Sequence, residues 1–582
     1  MLFIDGSADS PMFSMETGGK TSGQLYSYLA FTVFALAYFW YYLPQGFSIL
    51  DDAYLAALGQ RIVNGQSLYS DFYYLRTPLS PLIQSFWIQA LGAKYTVLVS
   101  RVVWAIQLYT TIVTFSFVYR KWLSATALAV TLCATLVYSS LLFAFPWYTY
   151  DGMFFTALFA VFAYRRRFLL AGACAGLAFL CKQGFVALLP LYLLYDFLEV
   201  KRTKEPVAHW FAHVGGAIGG AAIVIALTVS VLDASLAEIW RNVFVLPRSI
   251  NGLPLSFILY QDFPRAFGAV WPLALTLAVI LVIPLKAYVK SALVIVWLVL
   301  AWPSFSKTAN VLPFTITIAS FALCGWLCLL ALRYMRESRE NVAKTMYRQI
   351  ARVSALGLIG LYVAGFNYGG LIFSYIGGVL SLPVLIVCSA GWAWRTDARA
   401  ERRQALSGSA SPWFPSVLAT VILASAIFAH HRFPYMSVPR HELQTPFTSQ
   451  ALAGIHANPG LVTEIDSLVS LVQTLTEPED SVLAFPLPAS LNFITGRRAW
   501  GAVQWYYKRE FNITMAQESS DLFFTSPPAL VVLTSPQRIP DMPQFDTLYN
   551  TIIDNCRTVD SVGPFHILVP DCAGGNEATD ER

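Results

Sequence analysis

Two adjacent carboxylates, Asp51 and Asp52, follow the first strongly apolar stretch of the chain. They repel one another and contribute nothing to membrane insertion, so their position indicates a chemical use. Carboxylate oxygens can hold a divalent cation such as Mg²⁺ or Mn²⁺, for which Asp51 and Asp151 are the candidate ligands. Alternatively, one of them can be a general base that removes a proton from an incoming hydroxyl group. The spacing alone leaves both uses open.

A third acid, Asp151, and a lysine, Lys182, lie within or beside apolar stretches. Asp151 is 14 residues from Arg165, and Lys182 is 15 residues from Arg167, where both arginines mark the inner membrane surface. At the helical rise, each side chain is about 21–22 Å from that surface, so the two share one predicted depth. Charges at such depth cost about 2.5–3.5 kcal/mol and usually face a functional cavity. An Asp–Lys pair that only locks two spans together is the structural alternative.

The elements that position these groups are predicted to be transmembrane helices. Apolar residues make up 56% of the 582 residues and charged residues only 13%, unlike a soluble domain. An α-helix satisfies its own backbone hydrogen bonds in lipid, so we expect about 13 transmembrane helices. The predicted spans are 25–44, 96–119, 125–144, 151–164, 168–182, 184–199, 209–232, 266–285, 291–303, 312–332, 353–366, 371–394 and 413–429.

Lysine and arginine are concentrated in alternate connections, such as those at 165–167 and 333–352. The positive-inside rule makes these connections cytoplasmic. Residues 1–24 are then a cytoplasmic tail, and the first span is an uncleaved signal anchor. The odd number of spans places 430–582 on the outer side of the inner (plasma) membrane, in the periplasm or outside the cell, together with the acidic pair.

The predicted domains follow from this topology. Residues 25–429 form the transmembrane domain, whose first outer loop is 45–95, and 430–450 form a linker. Residues 451–582 carry the short apolar runs SVLAFPLP, ALVVLTSP and FHILVP between helical segments, a pattern typical of a small extracytoplasmic α/β domain. Cys556 and Cys572 lie in this domain and can form a disulfide in an oxidising compartment, with two separate thiols as the alternative.

Several basic side chains lie on the predicted outer side, where positive charge is otherwise scarce. They are Arg76, Arg241, Arg248 and Lys307. Such cations favour an anionic partner, and a lipid-linked phosphate fits a membrane protein. Interfacial snorkelling is the alternative explanation. The sequence contains no phosphate-cradling glycine loop and no ATP-binding signature, and we expect no nucleic-acid partner.

The outer domain contains a candidate acceptor-binding segment, LNFITGRRAWGAVQWYY. Its Arg497, Arg498 and Trp505 combine charge with aromatic surface, a mixture suited to stacking on a sugar or to gripping an anionic acceptor. A solvated loop whose aromatic rings pack inward is the alternative.

The order of these motifs resembles that of the membrane glycosyltransferases of the GT-C fold. The similarity lies in AYLAALGQRIVNGQSLYSDF and TPLSPLI after the acidic pair, then in TYDGMFF and AGACAGLAFLCKQGFVALLP. Within that fold, the chain resembles the group of protein O-mannosyltransferases and lipid A aminoarabinose transferases (glycosyltransferase family 39/83-like). The resemblance covers residues 25–330. The resemblance implies that Asp51 is the catalytic carboxylate and that Asp52 and Asp151 support it. The chain departs from the group in having Asp-Asp where Asp-Glu is usual, and Arg76 where the aminoarabinose enzymes have a lysine.

The resemblance implies a transferase that moves a sugar with inversion from a polyprenyl-phosphate donor to a lipid, glycan or protein hydroxyl. Lys182, Arg248, Lys307 and Arg76 would bind the donor phosphate. Asp51 would deprotonate the acceptor. The alternatives are a transferase of preassembled oligosaccharides and a lipid or glycan transporter, although the internal repeats of many transporters are not visible in the sequence.

Overall fold

The chain is an α-helical membrane protein with a C-terminal α/β domain. The computed structural model describes residues 20–92, 96–141, 145–251, 263–283, 287–305, 311–337, 341–365, 376–392, 413–432, 438–486, 488–507, 510–535 and 542–571. Each predicted span overlaps an α-helix, and the C-terminal sheet lies where the short apolar runs predict it. The predicted fold class is therefore confirmed.

The first half of the chain folds into long helices joined by short connections. They are α1 (Lys20–Tyr42), α2 (Tyr54–Val63), α3 (Leu79–Leu91), α4 (Thr96–Tyr119), α5 (Ala125–Ser139), α6 (Tyr148–Tyr164), α7 (Phe168–Cys181), α8 (Leu188–Thr203) and α9 (Val207–Ser230). Helices α2 and α3 are the two amphipathic segments of the predicted first outer loop, and each has a buried face.

The second half continues the bundle. Its helices are α10 (Leu236–Trp240), α11 (Leu246–Asn251), α12 (Phe263–Val282), α13 (Ala287–Phe305), α14 (Val311–Glu337), α15 (Asn341–Gly365), α16 (Gly378–Trp392) and α17 (Trp413–Arg432). Within the described residues, five helical stretches are long and apolar enough to cross a membrane: Val97–Trp122, Gln183–Thr203, Val207–Ser230, Thr315–Tyr334 and Phe414–Arg432.

Close packing of α7 against α9 fixes the position of Lys182, which follows α7 directly. A Cβ atom added at Gly172 would lie 1.9 Å from the carbonyl oxygen of Ala217, and one at Gly220 would lie 2.0 Å from that of Leu169. Only glycine permits this approach, which is typical of helix packing through small residues in membranes.

The C-terminal domain is a five-stranded mixed sheet with helices on both faces. Its strands are β3 (Ser481–Phe485), β4 (Arg498–Ala499), β5 (Leu530–Thr534), β6 (Cys556–Val562) and β7 (Phe565–Pro570), in the order β4-β3-β5-β7-β6. The first three pair in parallel, whereas β7 runs antiparallel to β5 and β6. The helices are α18 (Pro459–Leu475), α19 (Leu491–Thr495), α20 (Ile513–Thr525) and α21 (Pro543–Asn555). A short ribbon of β1 (Thr445–Pro446) and β2 (His456–Ala457) precedes the sheet, so ordered pairing begins inside the predicted linker 430–450.

The C-terminal domain packs directly against the 45–91 segment. Ser490 Oγ donates a hydrogen bond of 2.5 Å to the carbonyl of Ile49, two residues before the acidic pair. The buried Arg61 guanidinium on α2 donates to the carbonyl of Gly501 at 2.7 Å. These contacts attach the domain directly to the loop that carries Asp51.

Candidate active site

The loop that carries Arg76 is anchored on the C-terminal end of α7. Gln183 Nε2 donates to the carbonyl of Leu75 at 2.6 Å, and Thr77 Oγ1 donates to the carbonyl of Phe179 at 2.7 Å. Gln183 follows Lys182 directly, and Phe179 lies within one helical turn before it. The chain therefore places Arg76 beside Lys182, although they come from separate segments.

Arg76 is buried, and only part of its hydrogen-bonding capacity is used. Its Nη2 atom donates to Glu510 Oε1 at 2.5 Å, and Tyr54 Oη donates to Oε2 of the same carboxylate at 3.3 Å. The guanidinium carbon lies 4.5 Å from the ring centre of Tyr148, within cation–π distance. Within the described residues, the buried Nε and Nη1 atoms have no hydrogen-bond partner. Burial by itself lowers the pKa of Arg76, but its neighbours, the carboxylate of Glu510 first among them, raise it by a larger amount. The net pKa is raised, so the guanidinium stays charged. Two of its donor atoms can therefore take an anion.

Lys182 also lies near the ring of Tyr148. Its Nζ atom donates to the carbonyl of Ala364 at 3.0 Å and approaches Thr149 Oγ1 at 3.4 Å. It lies 5.8 Å from the ring centre of Tyr148, and the residue is 1% exposed. Thr149 is in the first turn of α6, the turn that also carries Asp151. Lys182 and Asp151 thus belong to the same level of the bundle, as their distances from the inner arginines predict.

The basic side chains of Arg76 and Lys182 therefore lie beside one ring, and the carboxylate of Glu510 pairs with Arg76. A bound anion offsets the repulsion between two cationic groups and favours the protonated form of a buried lysine, so this pair of side chains suits an anionic ligand.

The acidic pair is held by an arginine that the sequence pattern does not single out. Arg101, near the N-terminal end of α4, forms an ion pair with the buried carboxylate of Asp52. The same guanidinium donates to the carbonyls of Leu43 and Gly46, each at 2.5 Å. Burial raises the pKa of the Asp52 carboxyl, and Arg101 opposes that rise. The structure thus places Asp52 in a contact that orients the loop.

Asp51 lies one residue earlier on this loop and is also buried. Its carbonyl accepts a hydrogen bond from the backbone of Tyr54, at the start of α2. Tyr54 in turn contacts Glu510. A single turn of chain therefore connects the acid that is predicted to be catalytic with the ion pair of Arg76.

Asp151 has a separate environment in the first turn of α6. Its carboxylate faces Ser80 and Gln107, and its Oδ2 atom is buried without a well-formed hydrogen bond within the described residues. The N-terminal end of a helix stabilises a carboxylate through its unsatisfied N–H groups. No three His, Cys, Asp or Glu side chains of the described ranges come together as a metal-binding group.

The remaining predicted phosphate ligands are Arg248 and Lys307. Arg248 is exposed on α11, and Lys307 falls outside the described residues, as does Cys572. The predicted bridge from Cys556 to Cys572 therefore stays a prediction.

The predicted acceptor residues have different surroundings. Trp505 packs against Tyr54, with ring centres 5.0 Å apart, and stacks on Tyr507 at 4.8 Å. It therefore lies next to the ion pair of Arg76 but offers little free ring surface. Arg497 donates to the hydroxyl and the carbonyl of Thr476 at 2.8 and 2.6 Å. It closes the C-terminal end of α18. Arg498 is exposed on β4.

Sequence reasoning missed three contributors to the cluster. Tyr148 lies in the FPWYTYDG string, whose aromatic residues beside Asp151 were a usable signal. Arg101 is a charged residue inside a predicted span, which is itself a functional indication. Glu510 lies in a polar stretch of the C-terminal domain, and no sequence signal connects it with Arg76.

Comparisons with known proteins find similarity to solved structures. No protein-family model matches the chain, and no curated protein matches it. The structure is similar to the crystal structure of ArnT from Cupriavidus metallidurans in the apo state. The TM-score is 0.45 and the sequence identity is 12%, and the match covers 93% of this chain and 97% of that one.

Proposed function

We propose that the chain is a membrane glycosyltransferase that moves a sugar, with inversion, from a polyprenyl-phosphate donor to a hydroxyl group of a lipid, glycan or protein. One observation carries the proposal. Arg76 and Lys182, from two segments of the chain, are buried beside the ring of Tyr148, and Arg76 keeps two donor atoms without partners in the described structure. Such a pair of cations suits a phosphate that enters from the membrane.

In the proposed reaction, Asp51 takes the proton of the acceptor hydroxyl while its oxygen attacks the anomeric carbon. The bond from that carbon to the phosphate oxygen breaks, and the polyprenyl phosphate leaves with the bonding electrons. Arg76 and Lys182 stabilise the charge that develops on the leaving oxygen. Attack opposite the leaving group inverts the anomeric configuration. Arg101 orients the acidic loop through Asp52.

The C-terminal domain contributes to this site because it supplies Glu510, which fixes one side of the Arg76 guanidinium. We propose that the site opens to the outer side of the membrane, with the N-terminus in the cytoplasm. A lipid-linked donor suits that compartment, since the lipid anchor carries the activated sugar across to a place that nucleotide sugars do not reach.

The proposal is tested with purified protein in lipid nanodiscs. Radiolabelled polyprenyl-phosphate hexoses and pentoses are supplied together with membrane extract as a source of acceptor, and release of polyprenyl phosphate and label in the acceptor are measured. We expect transfer by the native chain and a large loss in Asp51→Asn. Transfer only from diphosphate-linked donors would favour the oligosaccharide alternative, and equal rates in the native and Asp51→Asn proteins would contradict the proposal.

A further inference from the structure

A cleft lies in the C-terminal domain, at the C-terminal end of α19. Its volume is about 350 Å³, within the range of about 300–1,000 Å³ that is usual for small-molecule sites. Three segments surround it: residues 448–451, the Asp466, Val469, Ser470 and Gln473 face of α18, and the end of α19. The four residues of α18 have the spacing of one helical face.

The lining of this cleft is polar but nearly uncharged. Asp466 is its one ionisable residue, and the carboxylate already accepts hydrogen bonds from the backbone N–H groups of Thr448 and Ser449 at 2.8 and 3.2 Å. The nearby Arg497 is committed to the end of α18 and does not line the cleft. A carboxylate without an opposing cation disfavours phosphate or another anion.

The hydrogen-bonding groups of the cleft suit a polyhydroxylated ligand. The Ser449 hydroxyl is buried and has no partner within the described residues. Gln473 Nε2 donates to the carbonyl of Thr495 at 3.0 Å, which holds the amide in a fixed orientation. Phe493 and Ile494 supply an apolar wall. A sugar ring presents hydroxyl groups at its edge and apolar C–H groups on its faces. The hydroxyls, the fixed amide and the carboxylate of the cleft suit the edge, and the apolar wall suits a face.

The cleft is connected to the candidate active site through α19. Ser490, immediately before this helix, donates to the carbonyl of Ile49, two residues before Asp51. Gly496, immediately after it, lines the cleft. The five-residue helix spans roughly 7–8 Å, so the cleft is about one to two sugar units from the acidic loop.

We propose that this cleft binds a neutral sugar residue. If the proposed function holds, on which this part rests, that sugar belongs to a saccharide acceptor. It is a unit remote from the reacting hydroxyl, which extends past α19 to Asp51. The proposal selects a saccharide among the lipid, glycan and protein acceptors, and gives the C-terminal domain a role in recognising it.

The test measures binding without turnover. Saturation-transfer NMR is recorded on the full-length protein in nanodiscs with glucose, N-acetylglucosamine or glucose 6-phosphate and without donor. We expect signals from the two neutral sugars, loss of these signals in Ser470→Trp, whose indole fills the cleft, and retention in Ser467→Trp. Ser467 is an exposed residue on the same helix outside the lining, so it controls for the effect of a new tryptophan.

Three results would overturn the inference: no signal from either neutral sugar, equal signals in Ser470→Trp and the native protein, or a stronger cleft-dependent signal from glucose 6-phosphate. The binding test is independent of the proposed function. If the cleft binds sugar but Asp51-dependent transfer is absent, only the proposed function fails. If transfer depends on Asp51 but neutral sugars do not bind, only the cleft inference fails.

Discussion

The guanidinium of Arg76 and the carboxylate of Glu510 meet at 2.5 Å, although 434 residues separate them in the chain. Arg76 belongs to the loop between α2 and α3, and Glu510 belongs to the C-terminal domain. This buried ion pair therefore joins the transmembrane domain to the C-terminal domain. The candidate phosphate site is therefore completed only when the C-terminal domain is in place.

Removal of the negative partner of this pair is expected to destabilise the protein. Glu510→Gln leaves the Arg76 charge buried and uncompensated, which typically costs about 3–5 kcal/mol. Thermal unfolding in detergent should show a clear fall in Tm, with partial recovery in the double variant Arg76→Gln/Glu510→Gln. The matched control is Glu518→Gln, whose ion pair with Arg241 is half-exposed and worth about 0–1 kcal/mol. Equal losses of Tm in Glu510→Gln and Glu518→Gln would show that the buried ion pair contributes no more to stability than the half-exposed one.

Loss of the carboxylate at position 51 should slow transfer without unfolding the protein. A positioned general base typically contributes about 10²–10⁴-fold, so Asp51→Asn is expected to reduce kcat by that factor. Initial rates of sugar transfer and Tm are measured together. Asp546→Asn, an exposed acid on α21, is the control and should keep the native rate. An active Asp51→Asn protein would remove Asp51 from the mechanism.

Removal of the buried lysine should affect the donor more than the acceptor. A charge-assisted contact to phosphate is worth about 1.5–3 kcal/mol, so Lys182→Met is expected to raise the donor Kd by about 10–100-fold. Binding of polyprenyl phosphate is measured by displacement of a fluorescent analogue. Arg248→Ala is compared with it and should have a smaller effect because Arg248 is exposed. If donor affinity is the same in native and Lys182→Met proteins, Lys182 has only a packing role.

The contact between Arg101 and Asp52 predicts a positioning role for the arginine. Arg101→Lys keeps the positive charge but loses the planar fork that reaches Asp52 and the carbonyls of Leu43 and Gly46 together. We expect kcat to fall while the donor KM stays unchanged, since the acidic loop is displaced and the cations near Tyr148 are not. A parallel rise in donor KM would instead indicate a general loss of the fold.

The apolar pattern of the sequence determined the helices. Apolar stretches of the required length form helices in lipid because a helix satisfies its own backbone hydrogen bonds there, and each predicted span overlaps an α-helix. Strands β3, β5 and β7 of the C-terminal domain followed from the three short β-rich runs, whereas β4 and β6 were not predicted. The acidic pair and the depth of Asp151 and Lys182 could also be read directly, because these depend on local spacing and on the rise of a helix.

The partners of the charged residues could not be read from the sequence. The meeting of Arg76 with Glu510 depends on how the C-terminal domain docks on the 45–91 segment, and that of Asp52 with Arg101 on how α4 packs beside the loop. Spacing along the chain carries no information about such distant contacts. Tertiary packing alone decided that Arg76 and Lys182 lie beside Tyr148, that Arg497 caps the C-terminal end of α18, and that Arg248 stays exposed. The partner of a buried charge is whichever side chain the whole fold brings within hydrogen-bonding distance.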